Sequence, residues 1–433
     1  KTTGQHSRRH TFSFDEFSYL CPPGSKHDME HGKNWKQVLA VIWTGQGISI
    51  LSSSVVGYAV IFYLSLETGS AETLAFAALA GMLPQSLLGL VAGVWIDRWD
   101  RKRTMILADG FIALCTLALA LLFRFGAAEL WHVYALLACR SIGSAFHTPA
   151  MEASMPLLAP AAQLTRIAGV NQSLESASSI AGPALGALLL AFAELSDILL
   201  LDVAGALIAC GSLAFVRIPN PPRSGTQRPA LLREMRECAA AIRNTRGMTQ
   251  FFGSAILVLF FIMPVGVLFP LMTLRHFGGG VCEMSLIELV WGGGPLAGGP
   301  LMGLRSYRID KVLLIQAMYV TVGASFLVSG LLPPAAFALF TLLQVFSGIA
   351  GSVFKASFVA VVQRRFAPGM LGRVLSLYSG LSMMPAMLGV VGSGFLADSI
   401  GLNATFVLAG AAIVAIGIAG CCSRSMRRLG QGI

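Results

Sequence analysis

Charged residues are scarce in this chain of 433 residues: Asp, Glu, Lys and Arg account for 12% of it and hydrophobic residues for 55%. Soluble domains carry about 25% charged residues, so most of the chain cannot be an ordinary water-soluble domain. The sequence also lacks a Gly-x-x-x-x-Gly-Lys-Ser/Thr phosphate loop, a His-Glu-x-x-His zinc motif and a Gly-x-Ser-x-Gly nucleophile motif. Its eight cysteines show no spacing typical of a metal site or a disulfide framework. We therefore expect neither an enzyme nor a protein with a cofactor or a bound metal.

Long uncharged runs make up most of the sequence. Residues 73–96 contain no charged residue, and residues 104–123 contain one, Asp109. An α-helix crosses the bilayer with about 20 apolar residues, so each run is long enough to span it. Six such runs precede an arginine-rich segment near the middle of the chain, and six follow it. The pattern predicts an all-α membrane protein with twelve transmembrane helices in two six-helix bundles.

Changes in composition define the predicted domains. The polar start predicts a disordered N-terminal extension over residues 1–34, and residues 35–217 form the first bundle. Residues 218–246 form a cytoplasmic linker, residues 247–423 the second bundle and residues 424–433 a cytoplasmic tail. Within the linker, apolar residues recur at helical spacing, at Leu231, Leu232, Met235, Cys238, Ala239 and Ile242. This spacing favours an amphipathic helix on the inner membrane surface.

Lysine and arginine are distributed unequally between the two sides of the predicted membrane. With both termini inside, 27 of the 31 Lys and Arg residues lie on that side. Arg124 and Arg275 lie outside, and Arg140 and Lys355 lie within spans. Positive charge is retained on the cytoplasmic side, so we expect a multi-pass protein of the plasma membrane with cytoplasmic termini. The same placement explains the net charge of +10 without nucleic acid as a partner.

A dense charge cluster separates the second span from the third. It runs Gly93-Val-Trp-Ile-Asp97-Arg98-Trp-Asp100-Arg101-Lys102-Arg103. Gly93 permits close approach of two helices, and Asp97 can accept hydrogen bonds from the free N–H groups of a helix N-terminus. A plain basic anchor loop is the alternative. The spacing Gly-x-x-x-Asp-Arg-x-x-Arg-Lys resembles the loop signature of the major facilitator superfamily. The resemblance implies a conformational role for Gly93, Asp97, Arg98, Arg101 and Lys102.

Ionisable residues inside the spans are costly to bury and are therefore candidates for function. Arg140 and Glu175 lie about 16 Å and about 14 Å from the inner ends of their helices, so they can meet if the fourth and fifth spans adjoin. Such a pair is either a structural lock or part of proton coupling. Asp109 lies shallower, and it either binds a proton or pairs with the arginines of the loop. Asp202 and Glu288 lie near outer helix ends, and we interpret them as interfacial.

The fifth span carries small residues at a spacing that favours close helix packing, and Pro183 bends the helix. Gly169, Gly182, Pro183 and Gly186 keep the spacing of the antiporter signature of the superfamily's drug exporters, which this stretch resembles. Two glycines of that signature are replaced here. Ordinary packing is the alternative.

Polar side chains within the spans are candidates for the wall of a substrate cavity: Gln46, His147, Asn171 and Gln172. For His147 the alternatives are titration near neutral pH and simple packing.

Longer stretches are similar to macrolide efflux proteins, which belong to the major facilitator superfamily. They include residues 140–150, 156–160, 171–174 and 182–183, and the similarity covers nearly all of residues 34–424. The resemblance implies two bundles around a central cavity, alternating access, and export of an amphiphilic macrolide-type antibiotic in exchange for protons. We expect a bacterial, monomeric protein whose partners are this small molecule, protons and the lipid bilayer. A siderophore or lysolipid exporter of the same fold is one alternative, and a non-transporting membrane receptor or scaffold is another.

Overall fold

The computed structural model describes residues 35–96, 99–160, 163–219, 231–303 and 310–430. Some predictions therefore lie outside the described residues: those for residues 1–34, for Asp97 and Arg98, and for the end of the tail. Within the described ranges the chain forms fourteen α-helices and one short 3-10 helix, Pro334–Ala336. The α-helices are α1 (Trp35–Thr68), α2 (Ala71–Ile96), α3 (Arg101–Arg124), α4 (Leu130–Leu158), α5 (Leu164–Phe192), α6 (Leu195–Phe215), α7 (Leu231–Asn244), α8 (Met248–Arg275), α9 (Val281–Gly303), α10 (Lys311–Leu331), α11 (Phe337–Arg365), α12 (Pro368–Ile400), α13 (Leu402–Cys422) and α14 (Arg424–Gly430).

The long helices have the dimensions of membrane spans. In the described part of the chain, ten helices are long and apolar enough to cross a membrane, and α4 and α9 fall outside that group. Both contain two charged residues: α4 contains Arg140 and Glu152, and α9 contains Glu283 and Glu288. The all-α membrane architecture predicted from the sequence is confirmed.

The long helices pack in two groups. Helices α1 to α6 contact mainly one another, with α1 against α5 and α6, and α3 against α4 and α6. Helices α8 to α13 do the same, with α10 against α11 and α13, and α9 against α11. The α9–α11 crossing is close enough that a Cβ atom at Gly294 would lie 2.5 Å from the Cα atom of Gly348. We name the two groups the N-terminal bundle and the C-terminal bundle.

The two bundles meet at the end of the molecule where α2 begins and α12 ends. We name this the outer end, and the opposite end, which carries Asp100 and α7, the inner end. At the outer end the rings of Phe76 of α2 and Phe395 of α12 meet edge to face, with their centroids 6.0 Å apart. A Cβ atom at Gly394 would lie 2.7 Å from the Cβ atom of Ala75, so glycine permits this close approach.

A carboxylate from the C-terminal bundle caps α2 at this outer contact. Asp398 accepts hydrogen bonds from the backbone N–H groups of Ala71 at 3.3 Å and Glu72 at 3.0 Å, and from the Ser70 hydroxyl at 3.2 Å. The first N–H groups of a helix have no partner within the helix and attract negative charge. We name this contact the Asp398 latch.

Toward the inner end the bundles diverge. A Cβ atom at Gly292 of α9 would lie 3.8 Å from the carbonyl oxygen of Ser179 of α5, which places the two helices in contact. Closer to the inner end, Gln172 and Glu175 of α5 and Leu296 of α9 are exposed. The conformation is therefore closed at the outer end and open at the inner end.

Helix α7 lies within the predicted linker. Its Cys238 and Ile242 side chains are buried, and the helix packs against α8 and α12. Met235 is exposed. The C-terminal bundle thus covers part of the face that the sequence assigns to the membrane surface.

Candidate functional site

A buried polar network joins four helices of the N-terminal bundle around Asp202 of α6, whose side chain is 2% exposed. Arg140 of α4 forms an ion pair with the Asp202 carboxylate and donates to the backbone carbonyl of Ser53 at 3.1 Å. The hydroxyls of Ser53 of α1 and Thr116 of α3 donate to the same carboxylate at 2.6 and 3.2 Å. A buried charge needs both an opposite charge and hydrogen bonds to offset its lost hydration. We name these four residues the Asp202 network.

The partner of Arg140 differs from the sequence prediction. Arg140 pairs with Asp202 and not with Glu175, which is exposed on α5. The interpretation of Asp202 as interfacial is wrong, because its side chain lies inside the bundle. An aspartate seven residues into the apolar helix α6 was a usable signal. The sequence could not show, however, which helix turns toward Arg140.

A second acid–base pair lies further toward the inner end. Asp109 of α3 is 6% exposed, and its Oδ1 atom lies 3.5 Å from Nε2 of His147 on α4. Asp109 precedes Thr116 by seven residues, and Arg140 precedes His147 by seven, so this pair lies about 10 Å from the Asp202 network along the same two helices. In the described part of the chain, Asp109 Oδ2 and His147 Nε2 are buried without a hydrogen-bond partner. The sequence did not indicate that these two side chains meet.

The other three residues predicted to line a substrate cavity, Gln46, Asn171 and Gln172, differ in burial and in hydrogen bonding. Asn171 of α5 accepts a hydrogen bond from the Trp43 indole of α1 at 2.8 Å, which ties the two helices together. Gln46 is buried, and Gln172 is exposed near the inner opening. A role in substrate binding stays a prediction for all three.

The glycines predicted to form a groove on α5 pack against α1. A Cβ atom at Gly186 would lie 2.9 Å from the carbonyl oxygen of Val55, and one at Gly182 would overlap the Ser54 hydroxyl. Pro183, between them, is buried. Gly169 has open space where a Cβ atom would be, so it takes no part in this contact.

The described part of the charged loop binds helices of its own bundle. Arg101 donates to the carbonyl of Ala153 of α4 at 2.6 Å. Lys102 donates to the carbonyls of Ala214 and Val216 at the end of α6, at 2.9 and 2.8 Å. A cation at a helix C-terminus is favourable because the last carbonyls have no partner within the helix. Gly93 lies within α2, and the conformational role of the motif stays a prediction.

A groove of about 600 Å³ opens between α3 and α4, away from the contact between the bundles. Its lining includes Trp99, Asp100, Arg103, Leu107, Phe111 and Phe146. The rings of Trp99 and Phe146 stack there with centroids 5.9 Å apart. This groove is therefore not the central cavity that the sequence resemblance implies.

Two helical bundles that meet at one end, with ionisable groups held inside them, define a polytopic membrane transporter. Residues 42–338 match the sequence profile of the Major Facilitator Superfamily. The chain belongs to this superfamily, and the prediction of a transporter rather than an enzyme is confirmed.

The most informative relatives are bacterial efflux proteins. Macrolide efflux protein A of Streptococcus pyogenes is 39% identical over 391 residues, which cover 90% of this chain and 96% of that protein. Macrolide efflux protein A of Enterococcus faecalis is 38% identical over 74% of this chain and all of that protein. Multidrug efflux pump Tap of Mycobacterium tuberculosis is 25% identical over 89% of this chain and 91% of that protein.

Solved structures show the same fold at low identity. The nucleoside transporter NupG superposes with a TM-score of 0.69 at 14% identity, covering 89% of this chain and 98% of NupG. A bacterial homologue of the human lysosomal transporter Spinster, in an inward-facing conformation, superposes with a TM-score of 0.64 at 14% identity, covering 94% of this chain and 99% of that chain.

Proposed function

We propose that this protein exports amphiphilic, amine-bearing compounds of the macrolide type in exchange for protons. The observation that carries the proposal is the 39% identity to macrolide efflux protein A over nearly the whole length of both chains. Macrolides are bulky and apolar and carry an amine. An opening between two apolar bundles with an acidic group in it suits such a compound.

Proton coupling is proposed on the ionisable residues and on the motifs that the sequence lacks. The sequence contains no phosphate loop for a nucleotide, so the energy for uphill export would come from an ion gradient. One charge moving through the membrane potential contributes about 2.3 kcal/mol per 100 mV. Asp109 beside His147, and Glu175 near the inner opening, are the proposed proton carriers. Arg140, held by Asp202, would fix the N-terminal bundle around them.

Orientation is part of the same proposal. With both termini and α7 in the cytoplasm, the inner end opens to the cytoplasm and the described conformation would load substrate from inside the cell. Labelling of a single cysteine placed at residues 223–228, applied from outside intact cells, would contradict this orientation.

Export is tested in two stages. Expression in a susceptible bacterium is expected to raise the inhibitory concentration of erythromycin several-fold, and a protonophore is expected to abolish the gain. In proteoliposomes with an imposed pH gradient, Asp109→Asn and Glu175→Gln are expected to remove the dependence of erythromycin flux on the gradient, because neither amide can carry a proton. Asp197→Asn, an exposed carboxylate paired with Arg124 at the outer end, is the matched control and should leave the dependence unchanged.

The possible failures are distinguishable. Gradient dependence that survives in both single variants and in the double variant would exclude these residues as the proton carriers. Flux of a siderophore or a lysolipid without flux of erythromycin would assign a different substrate to the same fold. No flux of any of these compounds would favour a receptor or scaffold.

A further inference from the structure

One face of α3 changes from charged to apolar along the groove between α3 and α4. Arg103, Leu107, Phe111 and Leu114 follow one another at intervals of three or four residues, so they lie on the same face of the helix. All four side chains are exposed, Leu107 by 72% and Leu114 by 68%. Because α3 has the length and composition of a membrane span, these exposed apolar side chains face the hydrocarbon of the bilayer. The charged end of the face lies at the inner end of the molecule.

Helix α4 supplies the opposite wall of the groove. Ile142 and Phe146, four residues apart on α4, line this side, and Gly143 lies between the two helices. A Cβ atom at Gly143 would lie 2.6 Å from Cγ1 of Ile112, so glycine permits the close approach of α3 and α4 behind the groove. The groove has a volume of about 600 Å³, and most of its lining is apolar. A hydrocarbon chain is therefore a ligand whose polarity matches the groove.

Aromatic rings surround the inner mouth of the groove. The rings of Trp95 of α2 and Trp99 stack with centroids 5.9 Å apart, and both side chains are exposed. The Phe146 ring stacks on Trp95 with centroids 5.8 Å apart. Tryptophan is enriched at the boundary between the hydrocarbon of a membrane and water. A lipid with a chain in the groove would therefore have its headgroup beside Trp99 and Arg103.

Arg103 differs in its surroundings from the two basic residues before it. Arg101 and Lys102 donate to backbone carbonyls of α4 and of the end of α6. Arg103 is exposed at the mouth of the groove, and none of the ion pairs among the described residues involves it. Asp100 also lines the mouth, and its carboxylate accepts from the backbone N–H of Arg103 at 2.8 Å and so caps α3. Residues 100–103 carry three positive charges and one negative charge, so the mouth attracts a headgroup with a net negative charge.

We propose that the groove between α3 and α4 binds an anionic phospholipid from the leaflet at the inner end. One acyl chain lies along Leu107 and Phe111, and the phosphate accepts charge-assisted hydrogen bonds from the guanidinium group of Arg103. The lipid contacts both helices and therefore adds to the cohesion of the N-terminal bundle. Because the groove lies away from the contact between the bundles, this site does not depend on which compound the protein exports.

Photocrosslinking in vesicles of known composition tests the site. The photoreactive amino acid p-benzoylphenylalanine replaces Phe111 in the full chain, which is reconstituted into vesicles of phosphatidylcholine with phosphatidylglycerol as the minor lipid. Mass spectrometry of the crosslinked peptide gives the ratio of the two lipids at the groove. We expect phosphatidylglycerol to be enriched about fivefold over the vesicle ratio, since one basic residue at a membrane surface contributes about this factor. The same amino acid at Leu207, which is exposed on α6 outside the groove, is the control and should report the vesicle ratio.

Substitutions at the mouth of the groove test the role of the Arg103 charge. Arg103→Gln should return the lipid ratio at residue 111 to that of the vesicle, and Arg103→Lys should keep most of the enrichment. Arg428→Gln removes an exposed positive charge from α14 at the same end of the molecule and should leave the ratio at residue 111 unchanged. With Arg103 intact, about 1 M salt should also reduce the enrichment, because it screens exposed charges beyond about 3 Å.

The site is overturned if neither lipid is crosslinked at residue 111, or if phosphatidylglycerol is not enriched there. Enrichment that Arg103→Gln leaves unchanged would also contradict it. Equal enrichment at Leu207 would show that the preference belongs to the whole membrane-facing surface and not to the groove. The outcome is separate from that of the erythromycin flux assay, because the lipid ratio is measured without any exported compound.

Discussion

Asp202 shows what a single buried charge requires inside a helical membrane bundle. Its carboxylate is bonded by Arg140, Ser53 and Thr116, so each of three neighbouring helices contributes a donor. The Ser53 backbone carbonyl in turn accepts from Arg140 at 3.1 Å. The hydrogen bonds among Arg140, Asp202 and Ser53 therefore form a closed ring. Removal of either charge would leave the other uncompensated in an apolar interior.

Single substitutions in the Asp202 network are expected to destabilise the protein. Arg140→Met or Asp202→Asn should each lower the stability of the fold by about 3–5 kcal/mol, because one buried charge loses its partner. The double variant Arg140→Met with Asp202→Leu should recover much of this loss, since no charge then remains. Thermal unfolding of the purified protein in detergent measures all three.

Glu175→Gln serves as the control for these substitutions because Glu175 is exposed and lies outside the network. Single variants as stable as the wild type would show that the ion pair contributes nothing to the fold. A double variant less stable than either single variant would show that packing, and not charge, dominates this site.

At the scale of the helix, α1 packs mainly against α5 and α6. Three consecutive serines point to different neighbours. The Ser53 hydroxyl donates a hydrogen bond to Asp202 of α6, and the Ser54 hydroxyl donates to the Ser178 carbonyl of α5 at 2.9 Å. Ser52 lies where a Cβ atom at Gly205 of α6 would be. Small residues permit such close helix approach, which van der Waals packing and interhelical hydrogen bonds then stabilise.

A matched pair of glycine substitutions tests the α1–α5 contact. Gly186→Ala should destabilise the fold by about 1–3 kcal/mol, because the new methyl group would lie 2.9 Å from the backbone oxygen of Val55. Gly169→Ala adds the same methyl group to the same helix where nothing lies within 4 Å, and it should be neutral or slightly stabilising. The midpoint of thermal unfolding measures both. Equal midpoints would mean that α1 shifts to accommodate the methyl group at no cost.

At the scale of the whole molecule, the contacts at the outer end join the two bundles in the described conformation. The Asp398 latch, the contact of Phe76 with Phe395 and the α5–α9 crossing all lie between the two bundles, in the half toward the outer end. Transport by alternating access requires these contacts to break and others to form at the inner end. The free energy of the latch therefore contributes to the balance between the two states.

Removal of the latch is expected to shift the protein toward conformations open at the outer end. Because Asp398 is exposed, we expect Asp398→Ala to lower the free energy that favours the closed outer end by about 1 kcal/mol. This corresponds to roughly a fivefold change in the ratio of the two states. Spin labels on cysteines introduced at Glu129 and Pro334, in a background without native cysteines, report the separation of the two bundles at that end. The variant should show a larger population at long distance.

Asp197→Ala is the control for the latch, since Asp197 pairs with Arg124 inside the N-terminal bundle at the same end. It should leave the distance distribution unchanged. The same distribution in wild-type protein and Asp398→Ala would show that the latch does not influence the conformational equilibrium.

Local properties of the sequence determined the helices of this protein. The uncharged runs, the helical spacing in Leu231–Asn244 and the small residues at Gly182 and Gly186 predicted spans, a linker helix and a close helix contact that the structure contains. Hydropathy and periodicity suffice for these features because the backbone in a bilayer must satisfy its own hydrogen bonds within each helix. Short sequence motifs likewise predicted membership of the superfamily.

Only the tertiary structure decided which side chains meet. Arg140 and Glu175 lie at depths that would allow a pair, yet Arg140 binds Asp202, and Asp109 meets His147. Glu288, interpreted from the sequence as interfacial, lies one helical turn from Met284, which is buried against Phe62 and Ala187 of the other bundle. Depth along a helix follows from counting residues, whereas the neighbour of each face depends on how helices rotate and pack against one another. That arrangement is set by contacts between residues far apart in the chain, such as Asp398 with Ala71, which no local pattern encodes.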